Sequence, residues 1–136
     1  MSLADFVAPT VNEAKGADFY KFIFVKVPDL KKFFNVVDMD PNDVPGSARF
    51  KTQGLKTMKA VHEAASKMGD DAAFKAFMAD LMSRHQKQKA DGLTCAHFAA
   101  FFDLLGEWSG ADAGQKGQLK ALSDKFVAEA KANGMP

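Results

Sequence analysis

Phenylalanine at helical spacing is the feature that most constrains how this chain folds. The 136 residues include 13 phenylalanines but only one tyrosine and one tryptophan. Several recur three or four positions apart, as at Phe74 and Phe77 and again at Phe98, Phe101 and Phe102, which places them on one face of a helix. β-Branched residues are sparse and strict alternation is absent, so the sequence predicts an all-α protein with aromatic helix faces to bury.

Length and charge restrict the class of protein. A chain of this size predicts one domain, residues 1–136, that buries about two-thirds of its unfolded surface. The 18 basic and 17 acidic residues leave a net charge of +1 with no basic patch, which argues against nucleic acid and anionic membranes as partners. The single cysteine, Cys95, is typical of a reducing compartment. With no signal peptide or membrane-length apolar run visible, we expect a cytoplasmic monomer or weak homo-oligomer.

Capping residues, prolines and glycines divide the chain into about seven helices of a non-bundle α fold. Residues 35–47 are rich in Asp, Asn and Pro and predict a loop with at most one short helix. The aspartates there lack the glycine and the terminal glutamate of an EF-hand calcium loop. The predicted segments are a helix from Ser2 to about Ala8 before Pro9, a helix capped by Thr10 with Glu13 and ended by Pro28, a helical turn over 28–34, a long helix from near Ser47 to Gly69, a helix from Asp70 through His85 to Asp91, a helix capped by Thr94, and a last helix from about Asp112.

His85 follows Leu81, Met78 and Phe77 at helical spacing, so its imidazole lies on an apolar stripe. A histidine there needs a partner for each ring nitrogen. One interpretation is a buried core histidine that is hydrogen-bonded to backbone. The other is an axial ligand of a haem iron, with the apolar residues forming the wall behind the macrocycle.

Seven residues stand along the chain in a characteristic order and spacing. They are Gly16, Tyr20, Pro28, Phe34, Gln53, Gly54 and His85. This pattern resembles the globin family over nearly the whole chain, and in particular an invertebrate globin of the intracellular haemoglobin or myoglobin type with distal Gln and Tyr. Globins place small residues where helices B and E cross, a proline at the start of the C turn, and a phenylalanine against the haem face. The resemblance implies a globin fold with a shortened first helix and haem b between helices E and F.

The resemblance also assigns the haem contacts. It implies that His85 binds the iron through Nε2, while its Nδ1–H donates to the carbonyl of Leu81. Arg84 and Lys56 are candidates to pair with the haem propionates, although a solvated arginine fits the position of Arg84 equally well. The remaining haem-contacting residues that we predict are Phe34, Leu81, Phe50 and Phe98.

Two other histidines compete with His85 as iron ligands. His62 lies nine residues beyond Gln53 on the same predicted helix, about 14 Å along its axis, which is too far to face the same iron. His97 opens a helix beside Phe98, where a backbone-bonded or solvent-facing histidine is expected. Because glutamine occupies the usual distal position, we predict an iron with one open coordination site.

Tyr20, Gln53 and Thr57 are the predicted ligand-binding residues on the distal side. Bound O₂ carries partial negative charge, so phenol and amide donors stabilise it over CO, by roughly 1–2 kcal/mol for each hydrogen bond. Thr57 stands one helical turn after Gln53 and is positioned to accept the Tyr20 proton, which would weaken O₂ binding. The alternative is a threonine bonded to its own helix carbonyl, with only its methyl group in the pocket.

Reversible binding of O₂ for storage or transport is the predicted function, with CO and NO as further ligands and no main enzymatic role. The alternative is a globin enzyme with peroxidase-like or nitric-oxide dioxygenase activity. Peroxide cleavage benefits from a distal base, and His serves this purpose far better than Gln. The sequence shows no flavin reductase domain that would return ferric iron to the ferrous state.

Overall fold

The computed structural model describes residues 2–136, and every regular element among them is helical. The all-α prediction is therefore confirmed. None of these helices combines the length and apolar character needed to cross a bilayer. The α-helices are α1 Leu3–Val7, α2 Glu13–Lys26, α3 Ala48–Lys67, α4 Asp71–Ser83, α5 Gln86–Ala90, α6 Cys95–Ser109 and α7 Ala113–Ala132, and the 3₁₀ helices are Ala8–Thr10, Pro28–Phe34 and Pro41–Asp43.

Most helix ends lie where the capping residues predict them. Asp70 accepts a hydrogen bond from the Ala73 N–H at 3.1 Å and so caps α4. Asp112 caps α7 in the same way through the N–H of Gln115 at 2.8 Å. These carboxylates satisfy N–H groups that the first turn of a helix leaves without a partner. The predicted Thr94 cap of α6 and the 3₁₀ turn that begins at Pro28 are also confirmed.

The predicted cap of α2 is wrong by two residues. Asn12, not Thr10, accepts the N–H of Lys15, at 2.8 Å. The Thr10 hydroxyl instead donates to the carbonyl of Val7 at 2.6 Å, because Pro9 lies in a 3₁₀ turn that continues the first helix. The α-helix α1 ends at Val7 with Ala8 as its C-cap, as predicted, and Pro9 lies in the first turn of the 3₁₀ helix that follows, where proline is tolerated.

The helix predicted to run from Asp70 through His85 to Asp91 is interrupted. It ends as α4 at Ser83, Arg84 and His85 form a turn, and a new helix starts at Gln86. The backbone of His85 has φ −112° and ψ 17°, outside the helical region. The spacing of apolar residues does not reveal this break, because the sequence on both sides of it is typical of a helix.

The chain forms two compact units, the first ending at Glu63 and the second beginning at Ala64. In the first, α2 packs against the 3₁₀ helix that follows it. In the second, α7 packs against α6 and α4. Large side chains that are almost fully buried include Phe19, Phe24, Phe50 and Met58 in the first unit, and Phe74, Met78, Met82, Leu105 and Leu122 in the second.

Candidate functional site

Two glycines of the first unit determine how closely α2 and α3 approach each other. A Cβ atom added to Gly54 would lie 2.3 Å from the backbone carbon of Gly16, and one added to Gly16 would meet Gly54 at the same distance. Only glycine fits such a contact, because the clashing atoms belong to backbone. This crossing, predicted by the globin resemblance, brings Tyr20 on α2 next to Thr57 on α3.

Tyr20, Gln53 and Thr57 form a hydroxyl cluster, a name kept below for these three side chains. The oxygens of Tyr20 and Thr57 are 2.6 Å apart, which is a short hydrogen bond. The Gln53 amide nitrogen lies 3.4 Å from each of the two oxygens and therefore contacts both of them weakly. The predicted Tyr20–Thr57 interaction is confirmed. Within residues 2–136, Thr57 makes no side-chain hydrogen bond to a carbonyl of its own helix.

The environment of the phenol keeps Tyr20 protonated. Its side chain is buried, with 4% of its surface exposed. Burial raises the pKa of Tyr20 above that of a free phenol, and the hydrogen bonds from Thr57 and Gln53 offset only part of this increase, because a buried phenolate loses its hydration. Tyr20 therefore always has a proton to donate near neutral pH.

Three phenylalanine rings surround the Tyr20 ring. Phe34 meets it edge-on, with centroids 5.1 Å apart, while Phe50 and Phe24 lie at 5.5 and 5.8 Å. These separations and angles are typical of favourable aromatic pairs. The three rings hold the Tyr20 ring in place, so apolar side chains pack around the phenol of the hydroxyl cluster.

Arg49 belongs to this region and was not predicted from the sequence. Its guanidinium donates to the carbonyl of Phe34 and lies 5.3 Å from the centroid of the Phe50 ring, within cation–π range. Arg49 thus holds the end of the 3₁₀ turn against the first helical turn of α3. The only sequence signal was its position directly before Phe50, which is not specific.

The second unit holds His85, in the turn between α4 and α5. Its Nδ1 lies 2.7 Å from the carbonyl oxygen of Leu81, which confirms the predicted hydrogen bond and places the ring proton on Nδ1. The His85 side chain is half-buried, and its ring packs against Phe98 at a centroid distance of 6.1 Å. Leu81 itself is buried, with 8% exposure.

The two predicted propionate partners lie at the surface. The Arg84 guanidinium pairs with the carboxylate of Asp80 at 3.1 Å, and both side chains are more than 60% exposed. Lys56 is exposed on α3. Neither position tests a contact with haem, so both assignments stay predictions.

The competing histidines have other roles. The ring of His97 accepts the backbone N–H of Thr94 at 2.9 Å. This histidine is therefore backbone-bonded, one of the two environments expected for it, and takes part in the capping of α6. His62 lies half-buried on α3. The pKa of the nearby Asp5 carboxyl is lowered mainly by hydrogen bonds with Ser2, and His62 adds a smaller lowering of that pKa.

Comparisons with known proteins identify the family of this chain. The sequence model of the globin family matches residues 17–133. The chain is 34% identical to the cuticular globin isoform of Nippostrongylus brasiliensis, over 96% of this chain and 84% of that protein. It is 33% identical to the myoglobin of the same nematode, over 82% of this chain and 71% of that one.

A solved structure gives the same answer for the fold. The Caenorhabditis elegans globin-like protein GLB-1 superposes with a TM-score of 0.84, covering 98% of this chain and 95% of that one at 24% identity. The helices, the glycine crossing and the sequence match lead to one conclusion: the chain belongs to the globin family.

Proposed function

We propose that this globin binds O₂ reversibly at the ferrous iron of a haem b held by His85, for storage or transport of oxygen. The observation that carries the proposal is the state of the His85 ring. Because Nδ1–H is committed to Leu81, the lone pair of Nε2 is available for a metal. No protein group between residues 2 and 136 hydrogen-bonds to Nε2.

The donor chemistry fits a non-covalent haem. When bound, the haem supplies an iron that takes a diatomic gas as its sixth ligand. Covalent attachment of a c-type haem uses a Cys-x-x-Cys-His sequence, whereas Cys95 is the only cysteine of this chain. A neutral imidazole with a carbonyl behind it is the usual arrangement of a histidine that ligates a metal.

In this proposal, the hydroxyl cluster decides which hydrogens remain available to a bound gas ligand. The two hydroxyls share one hydrogen bond, so one of their two hydrogens stays available. A phenol is a far stronger acid than an aliphatic alcohol, and we infer that Tyr20 donates to Thr57. The phenol oxygen then presents a lone pair to the ligand, which weakens O₂ binding relative to a free tyrosine donor.

A binding role fits this site better than an enzymatic one. The distal amide of Gln53 has no basic nitrogen to transfer a proton between two oxygens, as peroxide cleavage requires. Peroxidase-like and nitric-oxide dioxygenase activities are therefore secondary in this proposal. We also propose a cytoplasmic location. The names of some relatives, a cuticular isoform and an extracellular globin of Pseudoterranova decipiens, describe other locations for those proteins.

The test is the absorption spectrum of the haem-loaded, dithionite-reduced protein, followed by oxygenation and deoxygenation cycles. We expect a five-coordinate ferrous spectrum and an oxygenated form that releases O₂ and returns to it. A six-coordinate ferrous spectrum, or oxidation to ferric protein in place of an oxygenated form, would contradict the proposal and favour redox chemistry.

A further inference from the structure

The side chains at the helix break around His85 make contacts back to the end of α4. Four consecutive side chains each reach back three or four residues, onto three successive residues at the end of α4. We refer to residues 80–86 as the His85 turn. The contacts are Ser83 Oγ to the Asp80 carbonyl at 2.6 Å, Arg84 to the Asp80 carboxylate at 3.1 Å, His85 Nδ1 to the Leu81 carbonyl at 2.7 Å, and Gln86 Nε2 to the Met82 carbonyl at 2.9 Å.

The contacts of Ser83, His85 and Gln86 each add a side-chain partner to a carbonyl at the end of α4. The peptide N–H of Arg84 already bonds to the carbonyls of Asp80 and Leu81, at 3.3 and 3.1 Å. The peptide N–H of His85 itself bonds to Met82 at 3.1 Å, as in a tightened last turn. The carbonyls on either side of Leu81 are therefore both engaged by side chains. This fixes the direction of the Leu81 carbonyl between them, to which the imidazole is bonded.

Gln86 has a special place in this set because it crosses the break. It is the first residue of α5, while the carbonyl that it binds belongs to the last turn of α4. His85 precedes α5 as its N-cap residue and makes no side-chain capping bond there. The Gln86 amide is thus the side-chain link from α5 back to α4 around His85.

The other flanking contacts are weaker candidates for this role. The ion pair of Arg84 and Asp80 is exposed, and exposed pairs contribute little because water and salt screen them. The Ser83 bond is also exposed and stays within α4. Gln86 is an exposed residue too, but its bond to Met82 is partly buried, since the acceptor residue Met82 is 1% exposed.

We propose that Gln86 is a positioning residue for His85, holding the imidazole at the angle in which Nε2 meets the haem iron. This rests on the proposed function, in which His85 is the iron ligand. Gln86 itself touches neither the iron nor the gas. Its amide fixes the Met82 carbonyl and with it the turn that carries the ring.

Two substitutions of Gln86 test this role in the haem-loaded protein. Gln86→Glu keeps the shape but replaces the N–H donor with an acceptor, and Gln86→Leu removes both the donor and the acceptor of the amide. Lys87→Gln is the matched control, because it changes the net charge by the same amount as Gln86→Glu at the next, exposed position. The readouts are the iron–histidine stretching band in the resonance Raman spectrum of the ferrous protein and the rate of haem loss.

We expect both Gln86 variants to shift and broaden the iron–histidine band and to lose haem about fivefold faster, the factor that one ordinary hydrogen bond is worth. Lys87→Gln should match the wild-type protein. Gln86 variants with the wild-type band and haem loss rate would overturn the positioning role while leaving the proposed function intact. A wild-type protein that takes up no haem, or a His85→Gly variant that keeps the same band, would overturn both.

Discussion

The hydroxyl cluster and the His85 turn are built in opposite ways. The hydrogen bond between Tyr20 and Thr57 joins residues 37 positions apart and depends on two helices crossing at Gly16 and Gly54. The side-chain contacts of the His85 turn all lie within residues 80–86, with separations of at most four positions. One region is therefore shaped by tertiary packing and the other by seven consecutive residues.

This difference predicts how each region responds to substitution. A change at the glycine crossing moves α2 relative to α3 and therefore disturbs the hydroxyl cluster, even though neither glycine touches a hydroxyl. A change in the His85 turn acts locally, because its contacts return to the same stretch of chain.

Replacing His85 with glycine should abolish stable haem binding. The substitution removes the proposed iron ligand but leaves the apolar surroundings, so added imidazole should restore a five-coordinate spectrum. The measurement is haem titration followed by the Soret band, with and without imidazole. His62→Gln is the control and should bind haem normally. Equal haem affinity for His85→Gly and the wild-type protein would contradict the assignment.

Gly54→Ala should lower the free energy of unfolding by about 1–3 kcal/mol, because its methyl group overpacks a backbone contact that cannot yield. Gly117→Ala is the matched control. Gly117 lies within α7, and a Cβ there meets nothing within 4 Å, so alanine should raise the free energy of unfolding by about 0.5–1 kcal/mol. Chemical denaturation measures both.

The same substitution tests whether packing controls the hydroxyl cluster. Gly54→Ala should also change the O₂ dissociation rate, whereas Gly117→Ala should not. If both alanine variants were stabilised and kept the wild-type O₂ dissociation rate, the tight crossing of α2 and α3 would be wrong.

The buried phenol predicts a smaller effect at alkaline pH. Because burial raises the pKa of Tyr20 in the folded protein, the phenol contributes stability that is fully present below its unfolded pKa of about 10. This contribution is lost as pH rises through the folded pKa. Above about pH 10, the free energy of unfolding of the wild-type protein should therefore fall relative to that of Tyr20→Phe. A difference that is constant with pH would contradict the buried, neutral phenol.

Much of the fold was predictable because its signals are local. Asp70 and Asp112 cap helices through their own side chains, and Pro28 begins a 3₁₀ turn because its ring fixes φ. The error at Thr10 arose because Asn12 competes for the same helix start. A sequence contains both capping residues, and only the path of the chain after Pro9 decides between them.

The candidate site was predictable to a different extent in its two parts. The family resemblance predicted the partnership of Tyr20 with Thr57, which no local pattern reveals because it needs the glycine crossing. The contact from His85 to Leu81 was predicted by the same route. The role of Gln86 was not predicted. It depends on the helix break at His85, which the spacing of apolar residues does not reveal.

The most direct test of the account is the O₂ dissociation rate of Thr57→Val, measured by stopped flow beside the wild-type protein and Thr57→Ser. Valine keeps the shape of the side chain but cannot accept the Tyr20 proton, so the phenol becomes free to donate to O₂. We predict that Thr57→Val slows dissociation about tenfold, the effect of one good hydrogen bond, while Thr57→Ser stays close to the wild-type rate. An unchanged or faster rate in Thr57→Val would show that Thr57 does not divert the phenol, and would contradict the account.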